Sequence, residues 1–207
     1  MAKPKKRNLL RWILFILLAA FLAIYLLEGS NWLKRIRYPL LYEDQICSYA
    51  SKYEVDPCLT AAVIWVESRF MPEAVSPKDA RGLMQILPST GEWIAGKIGL
   101  ADFEEKQLYD PEVNIQIGCW YLGYLTSRFP DNRELVLAAY NAGIGNVDKW
   151  LRNREYSRDG NNLDYIPFSE TRNYIEQVLK AYEVYKEIYP SLELQCSNSS
   201  SFGKDYD

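Results

Sequence analysis

The sequence predicts a mostly α-helical domain preceded by one N-terminal transmembrane helix. Three observations carry that prediction. Apolar residues recur at helical spacing, as in Ile46, Tyr49, Ala50 and Tyr53, and again in Tyr174, Val178, Leu179, Tyr182, Tyr185 and Ile188. Two Asp-Pro pairs, Asp56-Pro57 and Asp110-Pro111, place a capping oxygen just before a residue suited to the first helical position. Trp12 to Leu27 is an uninterrupted apolar run.

Residues 1–11 are basic. With Leu9 and Leu10, the run approaches the roughly 20 residues that a spanning helix needs. A signal peptide needs small residues at its cleavage site, and Tyr25-Leu26-Leu27-Glu28 offers a poor one. A retained anchor over 12–28 fits better. Its basic flank predicts a cytoplasmic N-terminus and a body on the extracytoplasmic face of the cell membrane. Residues 29–41 read as a linker, with Trp32, Lys34, Arg35, Arg37 and Tyr38 suited to an interface or to a solvated tether.

The body, residues 42–189, reads as a series of helices. The first runs from Tyr42 to Tyr53. Asp56-Pro57 starts a second, which carries Ala61, Ala62, Val63, Ile64, Trp65 and Val66 up to Glu67. A third runs from Leu87-Pro88 to about Ile98. Asp110-Pro111 opens a fourth, through Phe129, whose buried face is Ile115, Cys119, Leu122 and Leu125 or Phe129 and which reads as scaffold. Arg133 to Asn141 is a fifth, closed by Gly143. Trp150 to Leu163 reads as an irregular loop. Ser169 is expected to cap a last helix from Glu170, and the tail at 190–207, rich in Ser, Asn and Asp, to stay disordered.

Composition narrows function. There is no histidine, which excludes Ser-His triads and H-E-x-x-H zinc sites. Net charge is −3; Lys3, Lys5, Lys6, Arg7 and Arg11 against Glu28 give residues 1–30 a charge of +4, so the remainder carries −7. An acidic body argues against nucleic acid as partner and predicts local, shape-based recognition. The four cysteines, Cys47, Cys58, Cys119 and Cys196, form no C-x-x-C pair. Cys47 and Cys58 flank a turn and can pair in an oxidising compartment or stay reduced; Cys119 reads as a buried thiol. Six tryptophans and sixteen tyrosines suit a sugar groove, but most aromatics in any domain are core, and composition nominates neither Trp93 nor Trp150.

Glu67 is the candidate for chemistry. On a helix it shares a face with Val63 and Ile64, and an acid among such residues is poorly solvated, which favours its neutral form. A carboxyl that keeps its proton near neutrality can act as a general acid. A solvated glutamate at a helix end is the plain alternative.

Four blocks then occur in order: E-S-R-F from Glu67, A-V-S-P-x-x-A-x-G-L-M-Q from Ala74 to Gln85, A-Y-N-A-G from Ala139 to Gly143, and I-P-F-S-E-T-R-N-Y from Ile166 to Tyr174. Together they resemble the soluble lytic murein transglycosylase domain, a lysozyme-like fold of the goose type with an active-site groove. The resemblance covers about Tyr42 to Tyr189. Departures fall at Met71 to Glu73, where many relatives carry Asn, and near Asp79, where they carry Gly. The resemblance implies cleavage of the bond between N-acetylmuramic acid and N-acetylglucosamine in peptidoglycan, without water, to leave a 1,6-anhydro end. It implies Glu67 as single acid/base and no metal or organic cofactor. It further implies Ser76, Met84, Gln85, Tyr140, Asn141, Glu170 and Tyr174 as groove contacts or support, with Tyr174 orienting the N-acetyl group. Two other readings stay open: a hydrolytic muramidase using Glu67 with Asp79 or Glu73, and a non-catalytic wall-binding component of the envelope.

Overall fold

The computed structural model describes the backbone of residues 5–201 and the side chains of residues 11–26 and 31–197. The basic side chains before Arg11 and the last six residues of the tail lie outside the described residues. The chain divides into two compact units, Met1–Pro39 and Leu40–Asp207.

The first unit is one helix, α1 (Lys5–Arg37). Its Arg11–Arg37 portion is long and apolar enough to cross a membrane, by length and composition. The expected linker is not a separate segment as far as Arg37, because α1 continues through it.

The second unit is helical, with only isolated β-bridges among the described residues. Its order is α2 (Glu43–Lys52), α3 (Pro57–Ser68), α4 (Pro88–Ile98), a 3₁₀ turn (Glu105–Tyr109), α5 (Pro111–Arg128), α6 (Arg133–Ala142), α7 (Ile144–Arg152), α8 (Ser169–Ile188) and α9 (Leu192–Ser201). The central element is α3. It is apolar on every side, and Ala61, Ala62, Val63 and Ile64 are completely buried, as a helix enclosed by others must be. It packs against α2, α8 and α9. The Asp56 carboxylate caps its start, accepting from the Cys58 and Leu59 N–H groups at 2.8 and 3.3 Å. The same carboxylate accepts from the Tyr182 hydroxyl of α8 at 2.6 Å, so the cap also ties two helices together. Asp110 caps α5 in the same way.

Three expectations need correction. The stretch from Trp150 is not wholly irregular, because α7 runs to Arg152 and buries Val147 and Trp150. Its apolar spacing is interrupted by Gly145 and Asn146, which weaken the sequence signal. Ser169 does not cap α8; it is the first helical residue, and Phe168 at the cap position makes no side-chain bond. The third concerns the tail. Residues 192–201 form α9, with Leu192 and Cys196 buried, and Cys196 is disulfide-bonded to Cys47. Cys58, one open candidate to pair with Cys47, is a free buried thiol, as is Cys119. Burial pushes both thiols up to about 12, which leaves them unreactive.

Composition could not reveal α9, because it packs closely on α2 and also meets α3 while Leu192 and Cys196 are its only buried side chains among the described residues. A covalent tie supplies what its small apolar face lacks. The bond closes a loop across 149 positions, so it restricts the unfolded chain strongly. Cys196→Ser is expected to lower stability by about 3 kcal/mol. Urea unfolding of the variant against the oxidised parent checks this, and an unchanged midpoint would mean that α9 is held by packing alone.

Candidate functional site

Glu67 sits in the last turn of α3, and the chain leaves the helix sharply. Arg69 and Phe70 are both left-handed, with φ of 55° and 61°. The Arg69 guanidinium lies 3.2 Å from the centroid of the Trp65 ring. Phe70 is buried. Ser68 fixes the exit, its hydroxyl donating to Leu83 O at 2.8 Å, with Ile64 O at 3.1 Å. The end of the helix is thereby bonded to the returning strand of the following loop.

That loop, residues 71–87, is held from inside and from beneath. Arg81 bridges Val75 on one side and Ile86 on the other. The Ser76 hydroxyl accepts from the N–H groups of Lys78 and Ala80 at 3.2 and 3.0 Å. The Gln85 amide donates to Ala74 O and Gly82 O at 3.1 and 2.9 Å. Beneath lies Asn114 of α5, completely buried. Its amide donates to Arg81 O at 3.0 Å and Leu108 O at 2.7 Å, and its oxygen accepts from Met84 N–H at 2.7 Å. Gly82 presses onto this residue; its φ is +76°, and a Cβ there would lie 2.1 Å from Leu108 O and 2.2 Å from Asn114 Nδ2. Only glycine fits that contact.

A cleft of about 270 Å³ opens above the loop. Glu67, Ser76, Gln85, Tyr140, Asn141 and Glu170 all line it, brought from α3, the loop, α6 and α8. Tyr140 donates to Met84 O at 2.8 Å, which fixes its ring against the loop. Asn141 accepts from the Thr171 hydroxyl at 2.8 Å and so joins α6 to α8. Glu170 pairs with Lys78 at 3.2 Å.

Two of the expected residues stand elsewhere. Met84 is completely buried under the loop and is no ligand contact; its backbone N–H and C=O serve Asn114 and Tyr140 instead. Tyr174 is buried behind the cleft wall, and its hydroxyl is the one buried side-chain polar atom among the described residues that lacks a hydrogen-bond partner. It lies near enough to Glu67 for each to perturb the other's ionisation. The two groups are close without forming a hydrogen bond of standard distance and angle.

Glu67 is partly open to the cleft and otherwise enclosed by protein. Desolvation raises its carboxyl from 4.5 to about 7; the nearby Tyr174 hydroxyl opposes the rise, and the negative Glu170 adds to it. Tyr140 and Tyr174 are themselves pushed well up, by burial first and by Glu67 second. The folded protein therefore holds a proton on Glu67 that the unfolded chain loses near pH 4.5. Between about pH 4.5 and 7 the folded state binds more protons, so this group's contribution to stability falls as pH rises. Glu67→Gln removes that slope. The variant's stability advantage over the parent should grow from near zero at pH 4.5 to about 2 kcal/mol at pH 8, after allowance for partial solvent screening. Urea unfolding at the two pH values checks it, and a pH-independent difference would place the carboxyl in bulk solvent.

Neither Asp79 nor Glu73 lines the cleft. Asp79 is forked onto Arg81, with bonds of 3.0 and 2.9 Å. Among the described residues, no group of three or more Cys, Asp or Glu side chains is arranged to hold a metal ion. Sequence reasoning missed Asn114 and Lys78. An asparagine amid Ile115, Ile117 and Cys119 was a usable signal, because a buried amide requires partners. Lys78 gave none, since an exposed lysine in a turn is commonplace.

Residues 44–163 match the family described as the Transglycosylase SLT domain. The chain is 37% identical over 172 residues to the soluble lytic murein transglycosylase of Escherichia coli K12, covering 82% of this chain and 26% of that protein. It is 34% identical over 164 residues to the membrane-bound lytic murein transglycosylase C of Actinobacillus pleuropneumoniae serotype 5b, covering 67% and 44%. Among solved structures, the 70 kDa soluble lytic transglycosylase of Escherichia coli superposes with a TM-score of 0.67 at 36% identity, over 77% of this chain and 26% of that one. An inactive glutamate-to-glutamine mutant of the lytic transglycosylase Slt from Pseudomonas aeruginosa gives 0.66 at 32%, over 76% and 26%. The chain thus spans a quarter to under half the length of these relatives. With a matched fold and a family match over more than half its length, the chain belongs to the SLT transglycosylase domain family.

Proposed function

We propose that the protein is a membrane-anchored peptidoglycan lytic transglycosylase in which Glu67 is the single general acid and base. One observation carries this reading: a carboxyl held near pH 7 stands in a cleft where Glu170, the other lining carboxylate, is paired with Lys78. A group with its pKa near the working pH can both give and take a proton.

The steps balance without water. The Glu67 carboxyl gives its proton to the glycosidic oxygen as the bond from the muramic C1 breaks, and N-acetylglucosamine leaves with a free hydroxyl. The N-acetyl oxygen of the muramic sugar stabilises the cation at C1. The C6 hydroxyl of that sugar then attacks C1, and its proton goes to Glu67. The 1,6-anhydro ring closes and the carboxyl is restored. The unpartnered Tyr174 hydroxyl is a donor of the right kind to orient the N-acetyl group, a role that requires the cleft wall to open around it, because the hydroxyl is buried. Ser76, Gln85, Tyr140 and Asn141 supply the cleft's polar contacts.

Localisation follows the substrate. The apolar N-terminal helix supports a single-pass anchor, and the basic residues before it support a cytoplasmic N-terminus. The Cys47–Cys196 bond suits an oxidising, extracytoplasmic setting for the body. A hydrolytic muramidase is less well supported, because Asp79 is committed to Arg81 and Glu73 stands outside the cleft. Digestion of purified peptidoglycan by the detergent-solubilised chain decides the matter. We expect muropeptides one water lighter than hydrolytic products; reducing ends alone would overturn the reading.

A further inference from the structure

An aromatic cluster packs outward from the cleft wall to exposed rings and has no role so far. Tyr140, in the cleft wall, contacts the Tyr121 ring of α5 at 5.4 Å between centroids. Tyr121 meets Trp93 of α4 edge-on at 6.3 Å. Trp93 in turn meets Trp120 at 5.4 Å and Tyr124 at 5.6 Å, and these two stack one helical turn apart with planes 3° from parallel. In a buried cluster this would be core packing. Here Trp93 is 41% and Tyr124 38% exposed.

Beyond the stacked pair lies a shallow depression of about 270 Å³, lined by Tyr53, Trp120, Gly123, Tyr124 and Ser127. Its floor depends on Gly123, where a Cβ would lie 2.6 Å from Tyr53 O. That close approach of α2 to α5 brings Tyr53 beside Trp120. The depression therefore combines aromatic walls with the Tyr53 and Ser127 hydroxyls.

We propose that Trp93, Trp120 and Tyr124 form an outer subsite that binds the sugar rings of a glycan strand beyond the cleft. The proposal rests on the glycan-cleaving reading above. A sugar ring presents an apolar C–H face and an equatorial belt of polar groups, which an exposed aromatic plane edged by hydroxyls complements. A lipid surface is the competing occupant. The net charge of −7 beyond residue 30 disfavours adhesion to an anionic bilayer and to an anionic wall polymer alike, so it favours contact with uncharged sugar rings over anionic headgroups. Through Tyr121 the exposed rings pack onto Tyr140 of the cleft wall, a proximity to the cleft that a lipid contact would not need.

The test uses the full chain in detergent micelles and calorimetric titration with N-acetylated chitotriose and chitohexaose, which share the β-1,4 N-acetylglucosamine backbone. The parent should bind the hexasaccharide more tightly than the trisaccharide. In the Trp93→Ala/Tyr124→Ala variant, hexasaccharide affinity should fall about tenfold, on the scale of losing two large aromatic contacts, while trisaccharide affinity holds. The unchanged trisaccharide also reports an intact fold. An unchanged hexasaccharide affinity, an equal loss for both lengths, or no hexasaccharide binding by the parent overturns the subsite. Quenching by brominated phospholipid in proteoliposomes that disappears in Trp93→Ala, with hexasaccharide affinity unchanged, identifies lipid as the occupant instead. A parent that shows the length dependence but releases no anhydro product sinks the catalytic reading and leaves the subsite standing.

Discussion

Replacing Glu67 with glutamine should reduce the release of soluble muropeptides at least a thousandfold, within the range expected when a positioned acid/base is removed. Glutamine matches the carboxyl in size, so the packing of α3 against α8 and the Ser68 bonds to Leu83 and Ile64 should persist. What disappears is a transferable proton. The amide cannot protonate a leaving oxygen and cannot take the proton of the attacking hydroxyl. In the proposed cycle both steps pass through this one group, so no other residue shares the loss. Glu170 is a poor substitute, because it is exposed to solvent beside Lys78 at 3.2 Å and lacks the enclosure that keeps the Glu67 carboxyl protonated. The enclosed site that keeps the carboxyl protonated also costs stability at alkaline pH, so the inactive variant should be the more stable protein there. Loss of activity with gain of stability is the signature of a group strained for function, and global misfolding would give the opposite sign. Muropeptide release measured beside urea unfolding at pH 8 separates the two. Substantial activity in Glu67→Gln would end the single-acid/base reading.

Much of this arrangement was legible in the chain. The Asp56-Pro57 and Asp110-Pro111 pairs mark the starts of α3 and α5, because cap and first-turn chemistry is local. Glu67 could be singled out because Val63 and Ile64 lie one turn behind it, and both are completely buried. The failures share a different character. The pairing of Cys47 with Cys196 joins residues 149 positions apart, and no local pattern encodes such a bond. α9 depends on that bond and on α2 and α3, so its own composition misleads. Met84 belongs to a block of site residues, yet its side chain points into the core while its backbone serves the loop. Sequence blocks mark that a segment matters without separating what touches a ligand from what holds the segment in place.

Asn114 illustrates that difference, and its replacement should be among the most damaging in the protein. In Asn114→Leu the branched shape and the number of side-chain heavy atoms are kept, so no cavity forms; the bulkier methyl groups add some overpacking to the loss of hydrogen bonding. Three backbone groups lose their partners at once: Met84 N–H, Arg81 O and Leu108 O. The site is completely buried, so water does not replace them without opening the structure. Each orphaned group costs about 1–3 kcal/mol, and with partial relaxation the total should be about 4 kcal/mol. For a domain of this size that corresponds to a melting temperature lower by roughly 10 °C. The loss should also reach the cleft. Arg81 is paired with both Val75 and Ile86 and Gly82 rests on the asparagine, so releasing them frees the loop that carries Ser76 and Gln85. Activity should then fall at temperatures well below the new melting point. Asn114→Asp separates the contributions: a carboxylate can still accept from Met84 N–H but faces two carbonyl oxygens with no donor to offer. It should be at least as damaging as leucine at neutral pH and partly recover in acid, where a protonated carboxyl regains one donor. A leucine variant within about 1 kcal/mol of the parent would mean that the loop is held by its own turns, and that α5 is scaffold only.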